Sequence, residues 1–233
     1  MDTRLKIFQE TSLVECTFVE DSEVADARFQ FYLASREIPF AGHPTLVGVA
    51  SLLHRGLVNG TRLTVETQAG IIPIEIGENG QIIMTQIEPV FGPVVESPLV
   101  ADAFCLSADD IIHPLQVVST GVPFTVAILR DHDALTCAVL QTAALLKLQA
   151  QINMPNTDII EPFLVTLSGA TAAGDTYARL LLVPPMPEEN PVTGSATGTM
   201  VSYIWSKGLI KKPNFIAEQG HGLGRPGQSI VTV

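Results

Sequence analysis

The chain has 233 residues, 46% of them apolar and only 16% charged, which excludes a disordered polar chain and gives length for one large domain or two ordinary ones without staples. Its 13 Lys+Arg against 24 Asp+Glu leave a net charge of -11 with no basic run to neutralise a phosphate backbone, so nucleic acid is not an expected partner. There is no hydrophobic signal core and no run of about eighteen apolar residues, so no membrane span is expected and the cytoplasm is the expected location. Cys16, Cys105 and Cys137 lack metal-ligand or redox spacing and read as reduced small hydrophobes, and no metal site is expected.

In chain order, short runs rich in β-branched or aromatic residues predict strands at 27–32, 63–67, 71–76, 81–87, 124–129, 163–167 and 177–183. Asn79-Gly80 predicts a tight hairpin turn. The passage 93–114 is the least structured, holding one short helix begun by Ser107 with Asp110 three residues on; the domain boundary is therefore set near residue 117, giving domains 1–117 and 118–233. Helical spacing predicts a helix over 133–149, with Asp133 capping its first turn and Leu135, Val139, Leu145 and Leu146 on one apolar face. The result is an α/β mixture with more strand than helix.

A repeat organises these elements. Glu37-Ile-Pro-Phe-Ala-Gly42-His-Pro-Thr45 and Glu189-Asn-Pro-Val-Thr-Gly194-Ser-Ala-Thr197 share Glu-x-Pro-x-x-Gly-x-x-Thr at an offset of 152, and the match runs on to Gly56-Leu57 and Gly208-Leu209. Seven of the 21 positions from 37 to 57 are identical in the later copy, where unrelated segments of average composition give roughly one or two. Each copy reads as an Arg-led strand (Arg28 onward, Arg179 onward), a Pro turn, then an apolar helix stopped by a basic residue and Gly. Two pseudo-symmetric domains follow, each a sheet wrapped around a central helix that is apolar nearly all round.

Helices opening at Gly42-His43 and Gly194-Ser195 present first-turn N–H groups and a partial positive charge. If a twofold relation brings them to one cleft, they form an anion site built without Lys or Arg, suited to a small carboxylate; the alternative is that the glycines only permit tight turns. Glu15 is the single charge in Ser-Leu-Val-Glu-Cys-Thr-Phe-Val. Apolar surroundings would raise its pKa toward neutrality, where it could take and return a proton, and a solvent-facing strand position is the alternative.

Six segments in order across nearly the whole chain resemble the phenazine-biosynthesis PhzF-like isomerase family: the run around Glu15, Arg28-Phe-Gln-Phe, Glu37-Ile-Pro-Phe-Ala-Gly-His-Pro-Thr-Leu, Val118-Ser-Thr-Gly-Val-Pro, Glu189-Asn-Pro-Val-Thr-Gly-Ser-Ala and Gly220-His-Gly-Leu-Gly-Arg-Pro-Gly227. The resemblance implies the diaminopimelate-epimerase-like fold, two β-barrel-like domains each around a helix with the active site between them, and a homodimer. It implies Glu15 as the acid/base, His43 as a hydrogen-bond partner of the substrate, and Gly42, Gly194 and Ser195 as backbone donors to its carboxylate, with no cofactor. Position 190 counts among the catalytic positions, but the family commonly has Asp there and this chain has Asn190, which cannot shuttle a proton. Compared with the family pattern, the chain opens within the helix before the Glu motif and stops with the strand after Gly-Arg-Pro, so both pieces that normally add to the first barrel look shortened. Two other functions stand beside the isomerase: a non-catalytic ligand-binding or interaction remnant, and an amino-acid racemase or epimerase, which would need a cysteine at each helix start where this chain has none.

Overall fold

The computed structural model describes residues 3–11, 13, 15–33, 36–152, 161–184 and 186–233. In chain order these form α1 (Thr3–Gln9), β1 (Glu15–Glu20), β2 (Ala27–Leu33), β3 (Glu37–Ile38), α2 (Gly42–His54), β4 (Arg62–Thr67), β5 (Gly70–Ile76), β6 (Ile82–Met84), β7 (Val90–Val95), α3 (Ser97–Ala103), β8 (Leu115–Ser119), β9 (Pro123–Ile128), α4 (His132–Cys137), α5 (Thr142–Ile152), β10 (Pro162–Thr166), β11 (Thr176–Leu181), β12 (Glu189–Asn190), α6 (Gly194–Ser206), β13 (Asn214–Gln219) and β14 (Gly227–Thr232). They fall into two compact units, Met1–Glu88 with Thr120–Val122 and Pro89–Ser119 with Pro123–Val233. Among the described residues no helix is long and apolar enough to cross a membrane.

The first unit is one sheet in the order β1-β2-β4-β5-β6, with β3 on β2; the second is a sheet in the order β14-β13-β11-β10-β9-β8-β7, with β12 on β11. Within each, the duplicated part has the same pairing. An antiparallel hairpin (β1-β2, β10-β11) takes a two-residue strand on its second member. That member then pairs in parallel with the strand reached through the helix (β4, β13), which turns back antiparallel into β5 or β14. Parallel neighbours need a crossover, and α2 and α6 supply it.

Side-chain bonds extend the repeat into segments whose sequences have diverged. Asp26 N donates to Thr64 O and Asp26 Oδ2 accepts from Thr64 N; Asp175 N donates to Ile216 O and Asp175 Oδ2 accepts from Ile216 N. Glu66 Oε2 accepts from Ser22 Oγ in the first hairpin turn, as Glu218 accepts from Thr171 N and Oγ1 in the other. Both helices end alike: Leu57 N donates to Leu52 O and Leu209 N to Ile204 O, with Gly56 and Gly208 at φ of 65° and 64°, the left-handed stop expected from the sequence. The register corrects one pairing. Glu37 lies opposite Tyr32 and Glu189 opposite Leu181, so the counterpart of Arg179 is Gln30 and that of Arg28 is Tyr177.

The cores are packed by exchange of volume. In the first unit the ring of Phe29 lies against Gly48, where an added Cβ would sit 2.5 Å from Cε2. The matching positions in the second unit hold Ala178 and Met200, both buried: the bulk has moved from strand to helix. The helices are less enclosed than their composition suggests, since Val47 of α2 and Trp205 of α6 are exposed.

Two expectations fail between the repeats. The passage 93–114 is structured, carrying the end of β7, the whole of α3 and a 3-10 turn at Ala108–Asp110 with the Ser107/Asp110 capping box in place. β7 escapes the strand pattern because Gly92-Pro93 sits in a register shift between Phe91 and Val94 on an edge strand, where Pro is tolerated. The helix over 133–149 is two helices. Asp131, not Asp133, caps α4 by accepting from Ala134 N at 2.9 Å; Val139 N and Gln141 N then donate to Phe104 O and Ala103 O at the end of α3, which breaks the helix and leaves Val139 56% and Leu146 53% exposed. Asp131→Ala is expected to lower the urea-unfolding midpoint through loss of the α4 cap.

Candidate functional site

Glu15 is the first residue of β1, opposite Leu33, and α2 packs on that strand so that its second residue, His43, comes alongside. The Glu15 side chain is 16% exposed, and its Oε2 is buried without a hydrogen-bond partner, 3.5 Å from His43 Nε2. That separation is an ion-pair distance but too long for a good hydrogen bond, so the oxygen stays uncommitted. Burial pushes the Glu15 carboxyl up to about 7, and burial lowers the His43 imidazole below its ordinary value. Both shifts favour the neutral forms.

The raised carboxyl has a consequence for stability. From about 4.5, the ordinary value, up to about 7, the folded chain holds the Glu15 proton more tightly than the unfolded chain, so stability falls as pH rises through this window. The shift corresponds to roughly 3 kcal/mol across the window. His43 acts in the opposite direction below its ordinary pKa, so the informative quantity is the difference between wild type and Glu15→Gln. Urea unfolding from pH 4 to 8 should show wild type losing ground to Glu15→Gln up to about pH 7 and none beyond it. A difference constant with pH would contradict the assignment.

The start of α2 is shaped by its sequence. Ala41 at the N-cap is extended, with φ of -142°, and offers no side-chain cap to the first-turn N–H groups. Thr45 Oγ1 donates back to Ala41 O at 2.6 Å, and in the second unit Thr197 Oγ1 donates to Thr193 O at 3.0 Å. The Thr of the repeated motif therefore closes the first turn in both copies. Gly42 and His43 thus lie together with Glu15 in the first unit.

Asn190, Gly194 and Ser195 lie together in the second. Asn190 and Ser195 are buried, and Asn190 Oδ1 accepts from Val192 N at 3.2 Å, so this amide is engaged in folding the Pro191 turn. Beside it, Glu189 Oε2 receives Arg179 Nε at 3.0 Å and Nη2 at 2.8 Å, while Arg179 Nη1 donates to Leu135 O and Thr136 O. One residue that sequence reasoning did not single out completes this corner: Gln219 Oε1 accepts from Thr193 N, and its Nε2 donates to Asn190 O and Thr193 Oγ1. Its position in the Glu-Gln-Gly run just before the Gly-rich loop was visible, but its partners were not.

The family model for phenazine biosynthesis-like proteins matches residues 2–233. The chain belongs to this family. It is 28% identical over 222 residues to a Bacillus subtilis protein named as an uncharacterized isomerase, YfhB, covering 92% of this chain and 74% of the relative. A crystal structure of a Bacillus anthracis phenazine biosynthesis protein of the PhzF family superposes with a TM-score of 0.81 at 26% identity, covering 98% of this chain and 79% of that one. A hydroxyproline epimerase from Agrobacterium vitis, at 14% identity, shares the fold with a TM-score of 0.62 over 98% of this chain and 71% of its own. The chain thus has the mixed α/β, epimerase-like fold that the repeat and the resemblance imply.

Proposed function

We propose that this family member is a cofactor-independent isomerase that moves a proton within a small carboxylate-bearing metabolite, with Glu15 as the single general acid/base. The observation that carries the reading is the Glu15 carboxyl, buried, with one oxygen uncommitted and a pKa of about 7, beside His43. A base with that pKa is half ionised at neutral pH and can both accept and donate. The ionised carboxylate takes a proton from a carbon next to a conjugated system of the substrate, and the electron pair of the broken C–H bond enters that system. Glu15 then delivers a proton, exchangeable with water while it is held on the carboxyl, to a different carbon, so atoms and charge balance without an oxidant or reductant. His43 hydrogen-bonds the substrate, and the helix start at Gly42 offsets charge that develops on it; in the second unit the helix start at Gly194-Ser195 offers donors of the same kind to a carboxylate. The isomerase class is supported by the family and by the named relatives.

Asn190 favours a second reading, a binding protein without chemistry, because an amide bonded to Val192 N holds no exchangeable acid proton for catalysis. Deuterium incorporation from D₂O into a panel of small unsaturated and α-substituted carboxylates separates the two. Wild type should label at least one acid at the carbon where the proton is delivered. A large gain in Asn190→Asp over an inert wild type would show that a second carboxylate is required, and would replace the single-base mechanism.

A further inference from the structure

We propose that Gln219 is the positioning residue of the α6 start, its carboxamide fixing the turn that presents Ser195. The two units differ at this place. In the first, β4 reaches β5 through two residues, and a backbone group, Ala69 N, donates to Pro39 O at 3.2 Å and holds the turn before α2. In the second, β13 reaches β14 through seven residues, Gly220 to Pro226, and the loop opens at Gly220 with φ of 81°. An added Cβ on Gly220 would come 2.5 Å from Pro191 O and 2.4 Å from Arg225 O, so the loop is pressed directly on the turn ahead of α6.

A side chain does here what the backbone does in the other copy. The position equivalent to Gln219, at the offset of 152, is Thr67, whose bonds among the described residues are local: its Oγ1 donates to Gly70 O and accepts from Ala69 N. Gln219 instead spans the turn, with Thr193 N to its Oε1 at 3.0 Å, and its Nε2 to Asn190 O at 2.7 Å and Thr193 Oγ1 at 3.1 Å. It is buried, and one planar group holds both ends of a four-residue segment. Thr193, the N-cap of α6, has no side-chain bond to its own helix, so the angle at which the first turn leaves β12 depends on this bridge.

The ligand arm of the test rests on the carboxylate reading above; the other arm does not. Gln219→Met keeps the length and removes all three bonds, and Tyr203→Phe, which removes one buried bond to Pro114 O from the same helix far from its start, is the control. Amide hydrogen exchange in the free protein, followed by NMR, should speed up about tenfold or more at Thr193 and Thr197 in Gln219→Met and stay unchanged there in Tyr203→Phe. Titration with benzoate should shift the Ser195 amide of wild type, with affinity about tenfold weaker in Gln219→Met and unaltered in the control. Unchanged exchange in Gln219→Met, or equal acceleration in the control, overturns the proposal. If Gln219→Met does not fold, Thr193→Val, which removes only the Nε2 to Oγ1 bond, takes its place: a several-fold acceleration at Thr197 supports the bridge and none overturns it. Benzoate leaving wild type unshifted would sink the carboxylate reading while the exchange data still decide the role of Gln219.

Discussion

Glu15→Gln is expected to lower the rate of proton relocation by about 10²–10⁴-fold, the usual worth of a positioned acid/base, with KM changed little. The amide keeps the shape of the carboxyl and enters a site where Glu15 Oε2 has no hydrogen-bond partner to lose, so fold and substrate affinity should survive. The loss then appears in kcat, as expected for a group whose contribution is made in the transition state. Substrate disappearance followed by ¹H NMR on whichever acid wild type labels gives both constants. A Glu15→Gln protein turning over at more than about a tenth of the wild-type rate would remove Glu15 from the mechanism.

Arg179→Met should be the most destabilising of the substitutions considered, at about 3–5 kcal/mol, because it strands a buried carboxylate. The Glu189 side chain is 5% exposed and that of Arg179 16%, and Glu189 Oε1 already lacks a partner. Removing the guanidinium leaves Oε2 alone as well and strips donors from Leu135 O and Thr136 O near the end of α4. Arg179→Met with Glu189→Met should recover more than half of the loss, since a buried ion pair is costly to break yet replaceable by apolar volume. Urea unfolding of the two variants measures both effects, and a single-variant loss under about 1 kcal/mol would mean that water reaches Glu189.

The repeated helix was legible because Thr45, Gly56 and their counterparts Thr197 and Gly208 meet backbone demands that few other residues satisfy. The strands before it were not legible as a repeat. From Tyr32 to its partner Glu37 the chain advances five residues and from Leu181 to its partner Glu189 eight, which changes the offset from 149 to 152, and Phe29 with Gly48 became Ala178 with Met200, conserving volume while erasing identity. Periodicity could not see the bonds of Val139 N and Gln141 N to the end of α3, which divide one apparent helix into two. At the candidate site, Glu15 stood out as a lone charge in an apolar run, whereas the role of Gln219 exists only through partners 26 and 29 residues away.

The account turns on Glu15 holding a proton at neutral pH. Its side-chain carboxyl carbon, labelled with ¹³C and assigned by its loss in Glu15→Gln, reports that directly as the chemical shift is followed from pH 3 to 9. A titration midpoint near 7 is the expected result. A midpoint near the ordinary value of about 4.5 would contradict it, leaving an ionised carboxylate too weak a base for the proposed proton transfer.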